Sequence, residues 1–523
     1  MNLIRRNAVL GCGVVLLFLA LAQPRWTGAA ATPSVLTYAM LSTGTSKIPA
    51  FTTTGEDALI LDQIYEALLS VDPATFKISP HLATSYTVSQ DGKTWTFKLR
   101  RGVRWQRGYG EFTCADVQFT WDLHKNPTNN SFWQTNAKIV DAVTCPDAYT
   151  AVIRLNTPFQ GFIWNLVDME PSTGWVLSKS AWDKLGREGY EKTPVGTGPF
   201  MLQSITPGQD VIIVRNPDYW GPKAGIEQID FKAISDSQTA ALGVKSGAVD
   251  IATSYQSLDP VTAVQYQNTP GVKLIRRPSF STSYLEINTT VKPFDDVRVR
   301  QAMRYAIDYK GLITSVMHGF ATPGLAGMML KGMIGFDSSV NPENIYDVNK
   351  AKELLKEAGV ALPVHGFFTT YNDTKDINSA QFIAASLSQI GIQLEARPLE
   401  RGTLVQERIK PTTPASILGT SVSPDPDFLF SLSFISAVIP PAGLNIARYN
   451  GIDQLYDSQH SAPALADRVK YLKQMQAKLA ADVPAIELWQ EDFLALVNDR
   501  VEHFEPTVLF NGDPLWLVTL KAK

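Results

Sequence analysis

The chain has 523 residues, too many for one small core. Its 45% apolar and 19% charged residues are the balance of a soluble globular protein of two or three domains. A formal charge of −3 leaves no basic footprint, so nucleic acid is excluded as a natural partner.

MNLIRR supplies a short positive start, and the run AVLGCGVVLLFLALA that follows is strongly apolar. It ends in Ala20-Leu21-Ala22, an A-x-A pattern that fits signal-peptidase cleavage after Ala22; a second cut fits Ala29-Ala30-Ala31. The run is about 15 residues, short of the roughly 20 that a spanning helix needs, which favours a cleaved signal peptide over a membrane anchor. Cys12 sits in a lipoprotein-like box, but its apolar stretch lies mostly after the cysteine, which disfavours a lipid anchor there. Loss of residues 1–22 removes Arg5 and Arg6 and takes the formal charge from −3 to −5. Export leaves two cysteines, Cys114 and Cys145, and two cysteines in an oxidising compartment are expected to pair. The bridge is read as structural, since no partnered histidine marks either thiol as catalytic.

Further along, TWTFKLRRGVRW (94–105) alternates apolar Trp95, Phe97 and Leu99 with polar neighbours and predicts a half-buried strand after the tight turn at Asp91-Gly92. Strands are also predicted at 150–155 and 210–216. Residues 235–252 predict a helix ended by Gly247 and then a short strand over 249–252. In 293–308, Asp295 or Asp296 caps a helix whose Val299, Ala302, Met303, Ala306 and Ile307 share a face. The pattern repeats in 347–360, with Asp347 as cap and Gly359 as stop. A helix over 379–390 precedes the strand IQLEARPL, and a long helix covers 464–481. This helix–strand alternation predicts α/β units with partly parallel pairing. Joints rich in Pro or Gly fall at 193–200, near Pro293 and at 482–489.

Motifs for bond-making chemistry are missing. His81, His124, His318, His365, His460 and His503 are scattered, without H-E-x-x-H spacing, and there is no C-x-x-C pair. Gly44-Thr45-Ser46-Lys47 and Gly419-Thr420-Ser421-Val422-Ser423 begin like nucleophile elbows but lack the closing Gly. Gly196-Thr197-Gly198 runs into Pro199 and is no dinucleotide loop, and no P-loop is present. Asp425 and Asp427, bracketed by Pro424 and Pro426, fit turn formers better than a calcium loop. Neither a metal nor a cofactor is expected.

Four stretches together resemble one family, the bacterial extracellular solute-binding proteins of family 5, which serve peptide, nickel and related ABC importers. They are ISPHLATSYTVSQDGKTWTFKLRRGVRWQRGYGEFTCADVQFTW (78–121), PVGTGPFMLQSITPGQDVIIVRNPDYWG (194–221), INTTVKPFDDVRVRQAMRYAIDYKGLI (287–313) and KYLKQMQAKLAADVPAIELW (470–489). The resemblance covers nearly the whole mature chain. It implies a two-lobed α/β periplasmic-binding-protein fold of the hinged type, with an extra domain inserted in the first lobe. Lobe one would combine 32–72, 195–283 and 486–523; the inserted domain would be 73–194, which holds both cysteines, and lobe two 284–485. It further implies a periplasmic, monomeric receptor that closes on an oligopeptide or other small solute and delivers it to ABC permease subunits, with no catalysis.

Site residues follow from the same resemblance. Thr43 and Gly44 lie in the loop after the first strand, Tyr284 at the lobe crossover, Thr420, Ser421 and Val422 on the lobe-two lip, and Asn445 and Trp489 in later crossover segments. Typical peptide binders carry an Asp at the lip that pairs with the peptide α-ammonium; here Val422 stands in its place. TYNDTKDINSAQ (370–381) holds no arginine where dipeptide binders grip the carboxylate. These departures favour glycan, opine-like, modified-amino-acid or blocked-peptide ligands. A chemosensory receptor using the same trap is the alternative reading, and a secreted hydrolase with paired carboxylates is a weaker one that no motif supports.

Overall fold

The computed structural model describes residues 34–521 apart from 53, 73–74, 169–172, 341–344, 463 and 510–512. The signal-peptide reading of 1–22 and the lipidation question at Cys12 lie outside the described residues.

In chain order, β1 is Val35–Met40. A separate antiparallel sheet follows, built from β2 (Ala83–Val88), β3 (Thr94–Leu99), β4 (Val140–Asp147) and β5 (Thr150–Leu155), in the order β2-β3-β5-β4. The strand predicted over 94–105 stops at Leu99, because Gly102 turns the chain with φ +77°. α1 (Cys114–Lys125) covers this sheet, opened by a capping box between Thr113 and Asp116. Cys114 and Cys145 form a disulfide, pinning the start of α1 to β4.

Two short two-stranded ribbons, Leu69–Val71 with Ile78–Pro80 and Val501–Glu502 with Thr519–Leu520, stand apart, and a large mixed sheet takes up the other strands. Its strands are β1, β6 (Phe200–Thr206), β7 (Asp210–Arg215), β8 (Gln228–Ala233), β9 (Ile251–Thr253), β10 (Val272–Ile287), β11 (Ala321–Pro323), β12 (Val364–Tyr371), β13 (Ile392–Leu399), β14 (Ala415–Ser421) and β15 (Ala485–Asn498). The order is β13-β12-β14-β10-β15-β9-β1-β8-β7-β6, with β11 paired to β15. Two strands are exceptional. β10 and β15 run antiparallel to each other through the middle of the sheet, pairing with β9 at one end and β14 at the other. Their register shifts between Pro278 and Thr282, which opens the ladder there. Positions 283/284 and 485/486 therefore lie within these strands rather than in loops.

Helices pack on the sheet as their apolar faces predict. α2 (Ser237–Ser246) is capped by Asp236 and ended by Gly247 at φ +77°. α3 (Val297–Ala306) takes Asp296 as its cap, and α4 (Tyr309–Val316) takes Asp308. α5 (Val348–Ala358) has Asp347 and Gly359 at its ends. α6 (Thr374–Ser388) starts five residues before its predicted bound, because Asp373 accepts a bond from the Asp376 N–H and caps a first turn with little apolar face. α7 is Asp453–His460 and α8 is Leu465–Asp482. Val299, Met303, Ile383, Leu387, Phe368 and Ile417 share one buried core beneath α3, α4 and α6. Ala39, Ala241, Val244, Leu494 and Leu496 form another beneath α2.

Candidate functional site

The strand directions locate the site. β12 is parallel to β13 and β14, and β14 is antiparallel to β10, with Ser421 beside Ser281. The carboxyl ends of all three parallel strands thus face the point where β10 crosses over. On the other half, β1 is parallel to β8 and β9, and Thr253 at the carboxyl end of β9 lies beside Ala495 of β15. These carboxyl ends face the same crossover. Ligands of open α/β sheets bind outside the carboxyl ends of the strands. Here two such ends oppose each other across one pair of strands.

The floor of this place is polar. Ser281 Oγ and Ser421 Oγ are 2.8 Å apart, and Ser279 Oγ donates to the Glu491 carbonyl at 2.8 Å. Glu491 Oε1 receives Lys375 Nζ at 2.9 Å, Trp489 Nε1 at 3.2 Å and Ser283 Oγ at 3.5 Å. Burial alone would raise the Glu491 carboxyl, but the Lys375 charge and these bonds offset it and hold the group below the usual range. Glu491 in turn lifts the Lys375 ammonium above the usual lysine range. Both side chains keep some exposure, 37% for Lys375 and 24% for Glu491.

The residues expected at the site fall into two groups. Thr420 and Ser421 are half-buried at the end of β14, and Ser421 joins the polar floor. Gly44 lies in the loop after β1 at φ +73°, where a Cβ would come within 1.9 Å of Asp57 Oδ1. That carboxylate clasps the loop through the Thr45 and Ser46 N–H groups and Lys47 Nζ. The other side chains are spent on the protein itself. Thr43 Oγ1 accepts from the Gly208 N–H. Asn445 is fully buried; its Nδ2 donates to the Ile435 and Tyr449 carbonyls and its Oδ1 accepts from the Tyr449 N–H. Tyr284 is in the large core, with burial raising its hydroxyl pKa. Trp489 is fully buried in the core beneath α3, α4 and α6. Val422 is 3% exposed, and its N–H donates to the Phe280 carbonyl.

Three features were not singled out in the sequence. The first is the Lys375–Glu491 pair. The second is Asp425: beyond accepting from the Asp427 N–H as a turn former, it takes a bidentate grip from Arg468, both bonds at 2.6 Å. Beside it His460 Nε2 is 2.9 Å from Asp427 Oδ1, and its ring stacks on Phe159 at 4.1 Å. The third is a pair of buried glutamates, Glu286 and Glu487, whose carboxyls burial pushes up to about 8. Among the described residues no group of three or more His, Cys, Asp or Glu could hold a metal ion.

Two halves of one sheet, opposed at their carboxyl ends and joined by two crossing strands, define a two-lobed solute-binding protein. The comparisons place it further. The family described as "Bacterial extracellular solute-binding proteins, family 5 Middle" matches residues 77–439. The chain is 30% identical to the glutathione-binding protein GsiB of Pectobacterium atrosepticum, over 97% of this chain and 98% of that one. Among solved structures, the periplasmic binding protein DppA of Helicobacter pylori in complex with the peptide STSA matches with TM-score 0.78 and 28% identity, covering 93% of this chain and 98% of that one. MoaA of A. tumefaciens R10, in complex with mannopinic acid, matches with TM-score 0.76 and 25% identity, over 94% of this chain and 100% of that one. This chain belongs to the bacterial extracellular solute-binding proteins, family 5. Its role is that of the substrate-binding component of an ABC importer, working with the permease subunits. Proteins of this family are periplasmic, and its homologues bind solutes rather than transform them.

Proposed function

We propose that this chain captures a peptide-like or other small polar solute where the two sets of strand ends face each other, and that closure of the lobes about β10 and β15 traps it. The observation that carries this is the polar floor at the crossover: hydroxyls of Ser281, Ser283 and Ser421 beside the Lys375–Glu491 pair. Convergent polar groups in a concave seam between lobes are what such a ligand needs. The register shift at Pro278–Thr282 supports bending at that level.

Lobe one on this reading takes 32–72, 195–283 and 486–523, the inserted domain 73–194 and lobe two 284–485. Residues 1–22 act as a cleaved export signal, and the protein catalyses no reaction. Binding works by population shift: a ligand that touches both lobes favours the closed form over the open one. Val422 leaves the lip without the carboxylate that holds an isolated peptide ammonium. The relatives that bind glutathione and mannopinic acid support a solute with several polar groups close together.

The test is to purify the protein from its native host, denature it and identify released small molecules by mass spectrometry. A stoichiometric polar solute is expected. Recovery of a linear peptide with a free N-terminus would refute the role given to Val422, and turnover of the solute by pure protein would refute the non-catalytic reading.

A further inference from the structure

We propose that Lys375 and Glu491 select solutes that carry an ammonium and a carboxylate on the same carbon, the α-amino-acid head that γ-glutamyl peptides retain and α-linked peptides lack. This rests on the proposed placement of the binding site at the crossover.

The argument starts from how the pair is held. All three donors to the Glu491 side chain, from Lys375, Trp489 and Ser283, go to Oε1. Oε2 has no partner among the described residues, although the side chain is only 24% exposed. Lys375 Nζ has three hydrogens and, among the described residues, one acceptor, Glu491 Oε1. A fixed carboxylate oxygen and a fixed ammonium thus stand side by side with bonding capacity unspent. Lys375 also lies in the first turn of the 15-residue helix α6, whose positive end favours an anion.

Charge decides what fits. A lone ammonium would gain from Glu491 but meet the Lys375 charge beside it. A lone carboxylate would meet Glu491 in the same way. A head bearing both charges places each against its opposite and makes charge-assisted bonds on both sides. In a linear α-peptide the two charges sit at opposite ends of the chain and cannot both reach a pair 2.9 Å apart unless the chain folds back. In a γ-glutamyl peptide they share one carbon.

The test is calorimetric titration of the full protein with three probes: glutathione, N-acetylglutathione and the α-linked isomer Glu-Cys-Gly. Glutathione is expected to bind at least about tenfold more tightly than the other two, the equivalent of one charge-assisted bond. Glu491→Gln and Lys375→Gln are each expected to lose about tenfold or more for glutathione and to erase the preference, while still melting cooperatively well above the titration temperature even though each breaks the Lys375–Glu491 ion pair. Equal affinity for glutathione and its N-acetyl form, or a preference that survives Glu491→Gln, overturns the proposal. Where glutathione is not bound, free amino acids and γ-glutamyl dipeptides replace it. Failure of every probe with an intact head overturns the proposal, while a co-purified solute lacking that head leaves the receptor reading standing. Absence of any co-purified solute or ligand-induced closure in X-ray scattering removes the receptor reading itself.

Discussion

Arg468→Met removes the cation that holds Asp425 in place. Both residues are almost fully buried, Arg468 at 1% and Asp425 at 3% exposure. The guanidinium makes two bonds of 2.6 Å to the carboxylate and a third, of 2.7 Å, from Nε to Gln459 Oε1. Without it Asp425 keeps the Asp427 N–H at 3.0 Å as a donor to its side chain, and its charge stays buried. Uncompensated burial of this kind costs about 3–5 kcal/mol. The packing loss adds to it, because the guanidinium lies 5.5 Å from the Phe159 ring centre and beside Gly161. Adding Asp425→Leu removes the stranded charge and is expected to recover part of the loss, since a well-packed apolar pair is often as stable as a buried ion pair. Urea unfolding of the parent, both single variants and the double variant, followed by tryptophan fluorescence, gives the coupling energy. A single Arg468→Met variant within about 1 kcal/mol of the parent, or a double variant that falls by the sum of the singles, would refute the reasoning.

Glu286 and Glu487 set a pH dependence. Each stays protonated in the fold up to about pH 8, whereas a carboxyl in the unfolded chain releases its proton near its model value of 4.5. The native state then binds more protons in that window, so stability declines as pH rises from about 4.5 to 8, by at most about 1.4 kcal/mol per pH unit per residue. Melting curves across that range should slope downward, and Glu487→Gln should lessen the slope, leaving the part due to Glu286; an unchanged slope counts against the burial argument. Replacing Cys114 and Cys145 by Ser should cost about 3–4 kcal/mol for a link across 31 residues, read from denaturation with and without reductant. Gly44→Ala forces a Cβ onto Asp57 Oδ1 at a positive φ and should cost about 1–3 kcal/mol, with parental melting as the contrary result. Val422→Asp puts a carboxylate at a residue that is 3% exposed, and should destabilise by at least about 2 kcal/mol in urea titration.

Local rules made the helices legible. Asp296 and Asp347 cap, and Gly247 and Gly359 stop, as short-range hydrogen bonding requires. The four motifs carried the family and with it the lobes. The site was harder to read. Lys375 stands in a segment notable for lacking an arginine, and its partner Glu491 is 116 residues away in a strand that otherwise reads as core. Only the strand register brings the two together. Asn445 and Trp489 show the converse: residue types suited to ligand contact whose polar atoms bond within the protein. Asp425 read as a turn former because its turn is local; Arg468 is 43 positions away, beyond any motif.

The central position of β15 has a consequence for how the protein is made. This strand comes from residues 485–498, yet it lies between β10 and β9 and joins the two halves of the sheet. Until it emerges, β9 and β10 face each other across an empty lane and neither half can finish its hydrogen-bond ladder. Pairings this distant in sequence form slowly, because a long loop must close before they are rewarded. On the proposed export route, the nascent chain therefore remains threadable until nearly its whole length has been synthesised, and this late-made strand commits the large sheet to its folded state.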